Sequence, residues 1–400
     1  MSILAERLSK IAPSPTVAVT TKANALKAEG KDVIGLGAGE PDFDTPAHIA
    51  EAGIQAIKNG KTRYAPPNGI IELRKEIVAK FKRDNDLTYT PEQVHVGVGG
   101  KQTIFNLFCT TINEGDEVIV PAPYWVSYPD IALLFGGVPI YVECGIENDF
   151  KMTPEQLENA ITPKTKWLVL NSPSNPTGAG YNQEDLKALG EVLKRHPHVY
   201  IMTDDMYEFL VYDDYEFKTI AQVTPELYDR TMTLNGVSKA YCMTGWRLGY
   251  AAGPLHIIKA MNMLNSQSTS SASTMVQWAA VEALRGDHSF IAENNKKFVE
   301  RRNKVIELIR DIDGIDCAKP VGAFYLYPCI KGLIGKKTPD GTVIETDEDF
   351  VTYILESKGV AVVQGSAFGL SPYFRISYAT SLDTLIDAMG RIKQAVDALV

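Results

Sequence analysis

Long apolar runs are missing from this chain: no stretch approaches the ~18 consecutive apolar residues of a membrane span. The opening MSILAERLSKI carries Glu6, Arg7 and Lys10 where a secretory leader needs an unbroken apolar core. Basic charge is scarce too, with 40 Lys and Arg against 49 Asp and Glu and a formal net charge of −9. Binding nucleic acid or an anionic bilayer takes a basic surface, so neither is expected as a partner. A small anionic ligand needs only local positive charge and stays open. The five cysteines (Cys109, Cys144, Cys242, Cys317, Cys329) are odd in number and form no Cys-x-x-Cys pair. That argues against a disulfide frame or a zinc site and for free buried thiols in a reducing, cytoplasmic compartment. Among six histidines only His196 and His198 lie close together, in an apparent loop, so no metal is expected.

What the chain does have is a soluble-protein composition, 45% apolar and 22% charged over 400 residues. Short apolar runs recur, and each stops at a polar or glycine-rich cluster. VHVGV leads into Gly99, Gly100 and Lys101; EVIVPAP into Tyr124 and Trp125; WLVL into NSPSNPTG; VYIM into TDDMY; TMTL into GVSKAYCMTGWRLGY. Runs this short, alternating with amphipathic helical segments, predict an α/β fold with a mostly parallel sheet covered by helices on both faces. Ligands of such sheets bind beyond the carboxyl ends of the strands, so five distant clusters can share one crevice. The C-terminal third differs. It reads as two long helices, one with Phe298, Val305, Ile306 and Ile309 on its apolar side, the other with Leu385, Ile386, Met389, Ile392, Val396 and Leu399. Strand-like AFYLYP and YFRISYA lie between them, as in a smaller α+β domain joined by the N-terminal arm.

The stretch from Gly236 to Tyr250 contains one lysine, Lys239, one arginine, Arg247, and no acidic residue. Taken alone, two solvated loop cations explain it. VGVGGKQ turns from glycine into a helix whose first N–H groups form an anion site, but it lacks the spacing of a nucleotide P-loop. NSPSNPTG is a rigid loop presenting Asn175, and TDDMYEF sets Asp204 and Tyr207 three apart after a strand. Together these parts fit pyridoxal phosphate. Its aldehyde needs a lysine amine, as at Lys239, and its ring nitrogen stays protonated beside a buried carboxylate such as Asp204. Asn175 and Tyr207 suit its phenolic oxygen and Trp125 its flat ring. Gly99, Gly100, Lys101, Ser238 and Arg247 suit its phosphate.

On these motifs, with GAGEPDFDTP, GKTRYAPPNGI, PYWVSYP and FRISYATS, the chain resembles the class I aminotransferases of fold type I, bacterial aspartate aminotransferases in particular. The resemblance implies that Lys239 carries the cofactor, Asp204 faces the ring nitrogen, and Arg247 and Ser238 hold the phosphate. Tyr64 would reach that phosphate from the partner of a homodimer. Gly39, Trp125, Asn175 and Arg375 would bind substrate, Arg375 gripping its α-carboxylate. It implies a large domain over residues 48–285 and a small one over 1–47 and 286–400. The expected reaction is amino transfer between aspartate or glutamate and 2-oxo acids, with aromatic or prephenate amino transfer and C–S lysis as alternatives. A silent cofactor-binding regulator would need a basic DNA-binding segment, and none is visible. The sequence departs from its relatives twice. Gly236 stands where some have a serine, and no basic residue lies between Lys259 and Arg285, where animal and enteric aspartate aminotransferases have the distal-carboxylate arginine. Lys101, Ser14 and Thr16 are the candidates for that task.

Overall fold

The computed structural model describes residues 3–400, so Met1 and Ser2, the first residues of the expected small domain, lie outside the described residues. Strand β1 (Ile34–Gly35) stands apart from the main sheet. Strands β2 (Val94–Gly97), β3 (Glu117–Ala122), β4 (Val138–Glu143), β5 (Thr165–Asn171), β6 (Tyr200–Asp204), β7 (Thr231–Gly236) and β8 (Gly249–Ala252) make one sheet in the order β2-β8-β7-β6-β5-β3-β4. The β3–β4, β3–β5, β5–β6 and β6–β7 pairs are parallel. Strand β8 runs antiparallel to both β7 and β2. Two reversals cancel, so β2 points the same way as β3 to β7, and six carboxyl ends face one edge.

Alternation along the strands explains the layering. Val118 and Val120 pack with Ile104, Leu107 and Phe108 of the helix Gly100–Thr111. Ile119 points the other way, toward Leu186, Leu189 and Leu193 of the helix Gln183–Lys194. Strands β2 and β7 are buried at every residue, as a doubly covered sheet requires. The edge strand β4 is the exception, with Tyr141 half exposed.

Strands β9 (Tyr325–Leu326), β10 (Val360–Ala361), β11 (Val363–Gln364) and β12 (Phe374–Ser377) belong to the last third. β11, β12 and β9 form a small antiparallel sheet, and β10 pairs parallel with β1. That pairing fastens the chain's beginning to its end: Leu36 N donates to Ala361 O at 2.8 Å, and Ser377 N to Leu36 O at 2.8 Å. The helices Ser289–Arg310 and Leu382–Asp397 bury the expected apolar positions apart from Ile386, which is exposed, and Leu399, which is buried but lies past the helix end. AFYLYP is strand only at Tyr325 and Leu326. No cysteine among the described residues forms a disulfide. Only Cys144 is fully buried and the other four are partly exposed, a looser burial than expected. No helix among the described residues is long and apolar enough to cross a membrane.

Candidate active site

Beyond the shared edge of the sheet lies a cavity of ≈ 530 Å³ whose wall draws on all five clusters. At β2 the chain turns through Gly99, φ 85°, into the helix Gly100–Thr111. A β-carbon on Gly99 would sit 2.5 Å from Arg247 Nη2, so only glycine lets the guanidinium lie against this turn. First-turn N–H groups of a helix have no carbonyl one turn back, and the helix dipole adds to their pull on an anion. Arg247 itself is left-handed, φ 58°, as is Cys242 in the same loop, φ 54°. Each costs on the order of 1 kcal/mol and is retained where geometry demands it.

Lys239 Nζ lines the cavity and donates to Gly39 O. Burial, then the nearby Arg375 charge, lower its pKa from 10.5 to about 8, with Glu40 opposing. The reaction of Lys239 with an added aromatic aldehyde, trapped by borohydride, should therefore rise through about pH 8. A midpoint near that of an ordinary lysine would refute the burial argument.

Asp204 ends β6 facing the cavity. Its Oδ2 accepts from Tyr128 Oη at 2.7 Å, and Asn171 Nδ2 donates to its main-chain carbonyl at 2.8 Å. Burial raises its pKa, and the Tyr128 bond partly opposes this. Asp205, one residue on, is not part of the cavity wall. Thr203 Oγ1 donates to its Oδ1 at 2.5 Å, its buried Oδ2 has no partner, and burial pushes it up to about 7. The alternation of strand side chains separates the two acids.

Tyr207 Oη meets Tyr325 Oη at 3.0 Å. Arg375, in β12, is buried between the Tyr325 and Phe368 rings, at 4.7 and 4.9 Å. Its Nη1 donates to Asn175 Oδ1 at 2.8 Å and its Nη2 to Gly37 O at 2.6 Å, while its buried Nε has no partner. Lys101 Nζ lies 5.1 Å over the Trp125 ring. Partial desolvation and the Arg247 charge lower the Lys101 pKa, with Asp130 opposing.

Four cations thus line one cavity, and neutral groups meet each of them. Lys239 finds Gly39 O, Arg247 finds Thr244 O at 2.8 Å, Arg375 finds Asn175 and Gly37, and Lys101 finds an aromatic face. Anions are the ligands this donor set can take. A readily deprotonated amine, a buried acid and an aromatic wall beside it fit a flat aldehyde carrying a phosphate, next to a carboxylate substrate.

Ser238, Gly100 and Thr16 also line the cavity, whereas Gly99 stands behind Arg247. Ser14 is set back, its Oγ 2.9 Å from Thr16 Oγ1. Tyr64 is 96% exposed and outside the cavity. Gly236 has a packing reason: a β-carbon there would meet Met206 Cε at 3.0 Å and Leu248 O at 3.1 Å. Sequence reasoning missed Tyr128, Asn171 and Tyr325. Tyr128 could have been found, since it stands three residues after Trp125 at the start of a helix.

The profile of the family described as aminotransferase class I and II matches residues 31–392. A protein of Rhizobium leguminosarum bv. phaseoli, named "Probable aspartate/prephenate aminotransferase", is 59% identical over 394 residues and 98% of each chain. The solved aspartate aminotransferase of Rhizobium meliloti superposes with a TM-score of 0.98 at 50% identity, covering 100% of both chains. That of Thermus thermophilus, solved with maleate, gives a TM-score of 0.92 at 43% identity over 99% of this chain and 100% of that one.

Proposed function

Since this chain belongs to the aminotransferase class I and II family, an enzyme family built on pyridoxal phosphate, we propose that it moves amino groups between aspartate or glutamate and their 2-oxo acids. The observation that carries this reading is the set of four cations whose direct hydrogen-bond or ring partners are neutral groups, around a lysine that titrates near 8. Bound pyridoxal phosphate supplies an aldehyde for the amino group and a ring that draws electrons from the substrate's Cα. Lys239 Nζ, its pKa lowered to about 8 by burial, takes the Cα proton and later returns one. Asp204, held by Tyr128, keeps a proton on the ring nitrogen. Asn175 and Tyr207 hydrogen-bond the ring oxygen, and Trp125 covers the ring face. Gly100, Ser238 and Arg247 hold the phosphate, while Gly99, whose N–H is taken by Gly97 O, serves by letting Arg247 lie against the turn; Tyr64 of a second copy completes the cup in a homodimer, a role its exposure supports. Arg375 grips the substrate α-carboxylate beside Gly39, its orphaned Nε supporting an unmet acceptor. The proposed domains are 48–285 and 1–47 with 286–400, a division supported by the β1–β10 pairing. Unpaired cysteines support a cytoplasmic setting.

The distal carboxylate of a dicarboxylic substrate needs a donor, because a buried unpaired charge costs several kcal/mol. The Thermus relative was solved with maleate, a dicarboxylate, which supports a subsite of that kind here. Lys101, beside Trp125 and in no direct ion pair among the described residues, is our candidate, with Thr16 at the same wall. Lys101→Ala is expected to lower kcat/KM for aspartate and glutamate roughly 30- to 5,000-fold, the equivalent of about 2–5 kcal/mol, and far less for phenylalanine or tyrosine. Equal losses for both classes would make Lys101 a cofactor-site residue; no loss would move the task to Ser14 and Thr16. The Rhizobium relative's name favours prephenate as a second acceptor. A panel of amino donors and 2-oxo acids tests the whole reading, and failure to shift the bound cofactor's visible band with any donor would overturn it.

A further inference from the structure

Next to the cavity-lining segments lies a cluster of buried charge that none of these roles uses. Lys80, from the helix Ile71–Asn85, is fully buried and ion-paired with Glu208, itself buried. Lys80 Nζ also donates to Asn85 Oδ1 at 2.6 Å, and Asn85 Nδ2 donates to Glu208 Oε2 at 2.9 Å. Asp84 lies 4.0 Å from Lys80. The other oxygen of Glu208, Oε1, accepts from Asn235 Nδ2 at 2.7 Å. Asn235 Oδ1 in turn accepts from Gly236 N at 2.7 Å, so both ends of this amide are used.

Stability does not explain the arrangement, because well-packed apolar residues of similar volume serve as well as a buried ion pair or better. Position does. The β6–β7 ladder runs only to Asp204 opposite Leu234, followed by one bond from Asp205 N to Leu234 O at 3.0 Å. Past that point β6 ends and leads into Met206 to Glu208, while β7 runs on through Asn235 and Gly236, paired with β8 alone, into Ser238 and Lys239. The Asn235–Glu208 hydrogen bond is what joins them there, and Lys80 and Asn85 fix its acceptor from the far side.

We infer that Asn235 is a positioning residue: clamped by the Lys80–Glu208 pair, it sets where the Ser238–Lys239 loop stands relative to Asp204 and Tyr207. The inference rests on the roles proposed for those residues. A misplacement near 1 Å can cost up to about a hundredfold in rate, so Asn235→Ala should lower kcat roughly ten- to a hundredfold with little change in KM. The visible circular dichroism of the bound cofactor, which reports how its ring is held, should weaken in step. Two neutral double variants keep the test alive should Asn235→Ala not fold. Lys80→Met with Glu208→Leu removes the acceptor for Asn235 and should reproduce both losses. Lys80→Met with Glu208→Gln keeps an acceptor and should regain most of the signal. The inference is overturned if these variants change only melting temperature, or if the Leu and Gln pairs lose equally. An unaltered protein that shifts with no amino donor would instead sink the catalytic reading, while the dichroism comparison would still report on the clamp.

Discussion

Lys239→Ala should abolish transamination while leaving the protein folded. Lys239 supplies a buried amine on the cavity wall with its pKa lowered to about 8, whereas Lys101 lies over the Trp125 ring. Losing the group that moves the Cα proton removes general base and acid together, worth about 10²–10⁴ in rate for proton transfer alone, and the covalent hold on the cofactor as well. Borohydride reduction and peptide mapping of the unaltered protein should put the label on Lys239; a label on Lys101 would sink the assignment. The same residue has an opposite effect on stability. Its pKa is lowered on folding, so the unfolded chain binds more protons between about pH 8 and 10.5 and stability rises with pH there. Below that window the buried charge works fully against the fold. Lys239→Met, which keeps the stem, should therefore stabilise the cofactor-free protein at pH 7 by on the order of 2–3 kcal/mol. The gain should shrink toward pH 10.

Asp204→Asn should bind the cofactor yet turn over more slowly by several orders of magnitude. An amide cannot hold the ring nitrogen protonated, and without that charge the ring draws far less on the Cα electrons. The geometry distinguishes this acid from its neighbour. Asp204 faces the cavity and is oriented by Tyr128 and Asn171, whereas Asp205 keeps an unpartnered oxygen in the protein interior. Asp205→Asn replaces a carboxyl that titrates near 7 by a neutral group of the same shape, so its effect on turnover should be mild. A crippled Asp205→Asn beside a mild Asp204→Asn would reverse the two roles.

Several parts of the site were legible because they depend on local chemistry. Continuous Val, Ile and Leu runs ending in polar clusters announced β2, β3, β5, β6 and β7, and the glycine turn announced the helix at Gly100. Strand β8 escaped notice because Gly249–Ala252 has small residues and no branched apolar run, although its reversed direction is what brings β2 into line with the others. Ile386 matched the helical period of its neighbours but falls at the margin of the buried stripe. A period marks a face and does not say how wide the facing surface is.

What the sequence determined by itself is the inventory: a lone amine and guanidinium without acids nearby, a rigid Asn175 loop, an acid and a tyrosine after one strand, and an arginine in FRIS. These are choices of residue type at short spacing, and short spacing survives any fold. Only the tertiary structure decided which of two adjacent aspartates faces the cavity, that Tyr128 and Asn171 orient it, and that Arg375 meets Asn175 across 200 positions of chain. The buried Lys80–Glu208–Asn235 clamp belongs with these. Its residues are far apart in sequence and ordinary one by one, and they acquire meaning only when packing removes them from water together.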